Sequence, residues 1–153
     1  MAAFPWESRL SAVTALIDPN SRAGARALDR LRHDIVAWLT TVRPDGLPQT
    51  SVVWFLWREE EILIYSRPHT PKLRNIAQSQ GVSFALNSDQ QGDNMLTMSG
   101  TARIDSSLPP AQQIEAYLDK YRNGVRGLGM TPETFGNAYS VPIVITPVLV
   151  RYW

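Results

Sequence analysis

The chain contains no cysteine, and that absence excludes disulfides, thiolate nucleophiles, thiolate-held zinc and iron–sulfur clusters together. Histidine is almost missing as well. His33 and His69 stand 36 positions apart and outside any ligand-spaced motif such as H-E-x-x-H, so no resident metal is expected. No apolar run approaches the ~20 residues that a membrane-spanning helix requires, and the N-terminus MAAFPWESRL lacks the basic region and apolar core of an export signal. No membrane role and a cytoplasmic location are the expectations. An excess of one charge sign is missing too: 15 Lys plus Arg against 14 Asp plus Glu leave a net charge of +1. A nucleic-acid binder would be expected to carry a broad basic face, so a small anionic ligand fits better than a polyanion.

What is present describes one globular domain. With 153 residues, 44% hydrophobic and 19% charged, the chain is long enough to bury roughly 70% of the surface its unfolded form exposes. No internal repeat or low-complexity segment interrupts it. We expect a single domain over 1–153, with 1–20 an N-terminal extension and 21–153 the folded body.

The charge balance hides one local exception. From Ile62 to Ser88, ILIYSRPHTPKLRNIAQSQGVSFALNS, there is no Asp or Glu, while Arg67, His69, Lys72 and Arg74 crowd eight positions of it. The stretch reads as a strand, a loop and a helix start, with Thr70 as N-cap and Pro71 at the first helical position. Leu73, Ile76 and Ala77 would form the buried face of that helix. Cations are a poor choice at the positive end of a helix dipole, where acidic residues are favoured by about 0.3–1 kcal/mol. A locally broken rule of this kind points to a site, and an anion is the partner that would justify it.

The remaining chain alternates strands with a few helices. Leu10, Val13, Ala15 and Leu16 suggest helical turns; Ser21 caps a second helix with Ala25, Leu28 and Leu31 on its apolar stripe and arginines on a wet face. Ile35–Val42 and Gln49–Trp57 read as strands joined by the Pro44-Asp45-Gly46 turn. The second of these is apolar on both faces: Val53, Phe55 and Trp57 on one, Val52, Trp54 and Leu56 on the other. Both faces therefore need cover, one from a barrel interior and the other from a helix, a ligand or a second subunit. Arg58-Glu59-Glu60-Glu61 is a solvated hairpin tip. Strands follow at Ile62–Ser66, at VSFALN and over Asn94–Asp105, where Gly100 marks a bulge or a close backbone approach. Pro109-Pro110 opens a helix with Ile114, Tyr117, Leu118 and Tyr121 on one face and Gly124 as its stop. The G-x-x-G-x-G string from Gly124 to Gly129 follows a helix rather than a strand, so it is a connector and not a dinucleotide fingerprint. Thr131-Pro132-Glu133 begins a last short helix. Pro142 and Pro147 place the final strand, Tyr139–Trp153, at a sheet edge or give it bulges. Antiparallel hairpins without parallel crossovers imply a mainly antiparallel α+β protein, a Greek-key or small closed barrel with peripheral helices.

The strings TTVRPDGLPQTSVVWFLW, ILIYSRPHTPKLRNIA, VSFALN and MSGTARID, with GLGM-TPE-F-YS near the end, resemble the pyridoxamine-phosphate-oxidase-like split β-barrel superfamily from about Leu31 onward. The closest likeness is to its flavin and deazaflavin oxidoreductases that use coenzyme F420. The resemblance implies a split β-barrel homodimer with cofactors in grooves at the subunit interface. It implies that Ser66, Arg67, Lys72, Arg74 and Asn75 hold a phosphate, and that Val52, Val53, Trp54 and Phe55 line the tricyclic ring. By the same resemblance Asn87, Met98, Tyr152 and Trp153 approach from the partner subunit. The chain is short and lacks the longer basic C-terminal pattern of pyridoxamine-phosphate oxidase itself, so synthesis of pyridoxal phosphate is not implied.

The function that follows is hydride transfer from reduced F420 to a small electron-poor organic molecule. No catalytic residue is assigned, because the cofactor carries the chemistry. FMN in the same fold is the alternative, since both cofactors present a phosphate, and a non-catalytic flavin- or haem-binding protein is a further one.

Overall fold

The structure, a computed structural model, describes residues 16–153. The helical turns expected around Leu10, Val13 and Ala15 lie outside the described residues. Helix α1 (Arg22–His33) starts where the sequence indicates, with Gly24 N donating to Ser21 Oγ at 2.9 Å. Its buried face is Gly24, Ala27 and Leu31, and Ala25 is exposed. The helix is turned this way because Gly24 lies against the Asp18 carbonyl, where a Cβ would be only 1.8 Å away. Nor is Arg30 on a wet face: it binds Asp34 and the carbonyls of Asn87 and Asn94, tying α1 to the loop of which they are part.

Among the described residues seven antiparallel strands form one curled sheet: β1 (Val36–Val42), β2 (Pro48–Trp54), β3 (Leu56–Arg58), β4 (Glu61–Ser66), β5 (Gly81–Ala85), β6 (Leu96–Ile104) and β7 (Val141–Tyr152). Their order is β2-β1-β5-β6-β7-β4-β3. The two edges, β2 and β3, are neighbours in sequence and are separated only by Phe55. The sheet therefore closes through the covalent chain rather than through a hydrogen-bonded seam, and this is a split β-barrel. The single strand expected over Gln49–Trp57 is thus two. Its break is held by the Tyr121 hydroxyl, which accepts from Phe55 N at 2.7 Å and lies 2.9 Å from Phe55 O and 2.7 Å from Ile35 O. A buried backbone N–H needs a partner, and here a side chain 66 positions away supplies it in place of a neighbouring strand.

The alternating faces separate two cores. Inside the barrel, Val53, Phe55, Ile62, Ile64, Phe84, Met98 and Ile143 pack together, with Trp57 at the margin. Outside it, Leu56, Leu63 and Tyr65 meet Tyr117, Tyr121, Val125 and Phe135. These last residues come from α3 (Glu115–Gly127) and α4 (Pro132–Ala138). The helix expected at Pro109-Pro110 begins instead with a 3-10 turn, Ala111–Gln113, before α3. Gly124 does not stop α3, which continues to Gly127.

The remaining turn and strand expectations sort by local against distant causes. Gly46, in the β1–β2 turn, has φ 85°, and the α4 start carries the reciprocal Thr131/Thr134 capping box. Gly100 marks both a bulge and a close approach: the β6–β7 register shifts there, and a Cβ would fall 2.3 Å from Thr146 O. Pro147 lies opposite that bulge. Yet β7 is not an edge strand, since it pairs with β6 on one side and β4 on the other. The bulge lets a central strand accommodate a residue with no N–H to donate.

Candidate functional site: a groove in the split of the barrel

The split itself forms a groove of about 300 Å3. β2 pairs only with β1. On the other wall β4 pairs with β3 over Glu61–Leu63, so Ile64, Tyr65 and Ser66 have β7 on one side and no strand on the other. Val52, Val53 and Trp54 line one wall and Ile64, Tyr65 and Ser66 the other. Strand edges without a neighbour present N–H and C=O groups in need of partners, so both walls offer backbone polar groups to a ligand.

Part of the groove's lining is cationic and hydroxylated. It is formed by Ser66, Arg67, Thr70 and Lys72, from the end of β4 and the start of α2 (Pro71–Gln78). Thr70 is the N-cap by position, yet its side chain makes no capping bond. Its hydroxyl lies 3.1 Å from Ser66 Oγ, which donates to Arg67 O at 2.9 Å. Burial pushes the Lys72 amine below the ordinary lysine value, and among the described residues neither Lys72 nor Arg67 has a carboxylate partner. The Arg67 guanidinium lies over the Tyr139 ring, 4.8 Å from its centroid.

The rest of the lining is largely aromatic. Trp54, Tyr65, Tyr117, Phe135 and Tyr139 belong to it, with Leu128 at the rim. The Trp54 indole stacks on Tyr121 at 4.6 Å and 5° and faces Phe135 at 5.6 Å and 22°. Stacking of this kind holds the indole rigidly beside the groove that it lines. Tyr65 donates to Pro109 O, and burial lifts its phenol to about 12. A hydroxyl so engaged is a poor proton donor at neutral pH. Tyr117 is fully buried, its hydroxyl has no hydrogen-bond partner among the described residues, and burial likewise raises its phenol.

Of the residues expected to hold a cofactor, Val52, Val53, Trp54, Ser66, Arg67 and Lys72 come together on this groove. Phe55 does not. It is 0% exposed, points into the barrel and packs edge-on against Phe84, because adjacent residues of an extended chain face opposite sides. Arg74 is exposed but is not on the groove wall. Asn75 is buried and its amide donates to Thr41 Oγ1 at 2.9 Å and Gln49 Oε1 at 3.1 Å. It pins α2 to the β1–β2 hairpin and stands behind the groove, while Ala77, expected on the buried helix face, is exposed. Met98, expected to reach across a subunit boundary, is 1% exposed inside the barrel. Asn87 is exposed and accepts from Trp38 Nε1; Tyr152 accepts through its hydroxyl from Asp18 N; Trp153 is exposed at the end of the chain. His69 is exposed in a left-handed turn with φ 63° and is not on the groove wall. Among the described residues no three His, Asp or Glu side chains group as metal ligands, and no helix is long and apolar enough to cross a membrane.

Sequence reasoning missed the contribution of Tyr117, Phe135 and Tyr139 to the groove. The helical spacing of Tyr117 and Tyr121 was visible, but it is equally the mark of an ordinary core face.

Residues 24–153 match the family model described as pyridoxamine 5'-phosphate oxidase. Solved structures share the fold. A conserved hypothetical protein, Rv2991 from Mycobacterium tuberculosis, is 20% identical with a TM-score of 0.69, covering 87% of this chain and 85% of that one. An F420 reductase is 24% identical with a TM-score of 0.61, covering 80% and 94%. HutZ, the haem storage protein of Vibrio cholerae, is 15% identical with a TM-score of 0.57, covering 82% and 92%. No curated protein matches the chain in sequence.

Proposed function

We propose that this chain, which belongs to the pyridoxamine 5'-phosphate oxidase family, is an oxidoreductase that binds a planar, phosphate-bearing redox cofactor in the groove, with coenzyme F420 as the first choice and FMN as the alternative. The observation that supports this most is the pairing, in one groove, of two cations without carboxylate partners among the described residues and a stacked aromatic wall. A phosphate is satisfied by an Arg fork, a Lys point charge and hydroxyl donors together, and its charge would offset the cost of burying Lys72. The unpaired edges of β2 and β4 suit the polar rim of a fused ring, and Trp54 and Val52 suit its faces.

The bound cofactor supplies the hydride, in the favoured reading to a small electron-poor organic molecule. The protein's part is to fix the ring, hold the phosphate and exclude water. That division of labour accounts for a site with no triad and no carboxylate pair. A haem-binding role has only His69 to offer near the groove, and that side chain is off its wall.

A second copy of the chain completes this reading. Val52, Trp38, Ala85, Thr97 and Arg151 pair in register across β2, β1, β5, β6 and β7, so they share the outer face, and Ser99↔Leu149 adds Leu149 to it. Val52, Trp38 and Leu149 are 49%, 44% and 47% exposed. Val52 also lines the groove, so a homodimer formed on this face would close one of its sides. Sedimentation at micromolar concentration should give a dimer.

Titration of the purified protein with F420 and with FMN tests the ligand. Tight binding of F420 is expected, and Lys72→Ala should weaken it by roughly tenfold or more, the scale of a hydrogen bond to a charged group. Sub-micromolar FMN binding with none for F420 would select the alternative, and binding of neither would overturn the reading.

A further inference from the structure

Within α3, Gly124 occupies an interior helical position, where glycine costs about 1 kcal/mol relative to alanine. Its φ is not positive, so no backbone strain demands it. The reason lies across the gap. A Cβ at Gly124 would sit 2.8 Å from Trp54 Cη2 and 3.0 Å from Cζ2. Contacts under 3.0 Å force a movement, and the movable partner is the indole.

The directions open to that indole are limited. Tyr121 stacks on it at 4.6 Å, Phe135 lies against it at 5.6 Å, and its backbone immediately precedes Phe55, whose N–H is held by Tyr121. Tyr117, Tyr121 and Gly124 follow one another at i, i+4 and i+7, so α3 turns one face toward the groove wall, the ring stack and the indole edge in succession. The side of Trp54 without a protein neighbour of this kind is the groove.

We infer that Gly124 is a specificity-determining position: by leaving out a side chain it seats Trp54 back against α3, and so sets the thickness and breadth of the planar group that the groove admits. Gly124 touches no ligand and acts through Trp54. Any side chain at 124 pushes the indole into the groove and narrows it beside Trp54. The ligand class concerned is a flat, fused aromatic ring system attached to an anionic group. The inference rests on the proposed cofactor-binding reading.

A double-mutant cycle with FMN and F420 as probes tests it. Gly124→Ala should weaken binding of the probe that wild type binds by roughly tenfold or more, within the range of coupling between residues in contact. Trp54→Phe removes the indole atoms that the new methyl meets. In that background Gly124→Ala should leave affinity unchanged, within about twofold. In protein labelled with 5-fluorotryptophan, the fluorine resonance lost in Trp54→Phe should be the one that moves in Gly124→Ala, before any ligand is added. Equal affinity in wild type and Gly124→Ala would overturn the inference, as would an equal loss in both backgrounds. Comparison of Trp54→Phe with the double variant decides the matter even if the single Gly124→Ala chain does not fold, since a further loss in the double variant counts against it. Failure of wild type to bind either probe would instead overturn the cofactor reading, while the shifted fluorine resonance would still report the seating of Trp54.

Discussion

The barrel interior and the cluster beneath α3 use opposite faces of the same strands, but they are composed differently. Ile62 and Ile64 point into the barrel, among Val, Ile, Leu, Ala and two edge-on Phe rings. Leu63 and Tyr65, between and beside them, point outward to Tyr117, Tyr121, Phe135 and Trp54. The interior is mostly aliphatic. The outer cluster is rich in phenols, which are apolar in body and polar at the tip, and it supplies the aromatic lining of the groove, to which the interior contributes only Val53 and Ile64. One core mainly holds the fold together, and the other shapes a surface while being held itself by a few hydrogen bonds.

That contrast can be broken by substitution. The largest effect is expected at Phe84, fully buried in the barrel. Phe84→Ala should lower unfolding free energy by about 3–5 kcal/mol through lost transfer and cavity terms, while affinity measured on the molecules that remain folded stays close to wild type. Chemical denaturation paired with cofactor titration checks both halves. If affinity falls in proportion to stability, the two cores are not separable.

A smaller loss, about 1–3 kcal/mol, is expected for Tyr121→Phe, because the buried Phe55 N–H is left without a partner. Here affinity should fall as well, since the strand break that positions Trp54 is loosened. Slower amide exchange at Phe55 in the variant than in wild type would contradict the role given to the hydroxyl.

The smallest effect is a dependence on pH. Lys120, on α3, places its Nζ 3.8 Å from the centre of the Phe55 ring, and burial lowers its amine to about 8 from its ordinary value of 10.5. A depressed amine means that the unfolded chain binds the extra proton between those values. The folded state therefore bears the full cost of the charge below about pH 8, and gains stability as pH rises from about 8 to 10.5. Lys120→Met should flatten the rise across this window in thermal melts.

Much of the fold was legible because it depends on short-range chemistry. Ser21 caps α1, Pro44-Asp45-Gly46 turns β1 into β2, and Gly100 marks a bulge, each for reasons contained in a few residues. The two faces over Gln49–Trp57 also read correctly although the strand is broken in two, since alternation survives whatever covers each face. The site was legible in part. The acid-free cationic window pointed to Arg67 and Lys72, but periodicity could not tell that Asn75 turns inward to Thr41 and Gln49, or that Phe55 is committed to the barrel.

By itself, then, the sequence determined the local elements, the two apolar faces and the concentration of positive charge after β4. Only the tertiary structure decided where the barrel splits. Nothing between Gln49 and Trp57 is a strand breaker, and the break exists because Tyr121, 66 positions on, offers Phe55 a hydrogen bond that a neighbouring strand would otherwise provide. The role of Gly124 was decided the same way. A glycine near a helix end reads as a stop, until the indole packed against it shows that what matters is the missing side chain.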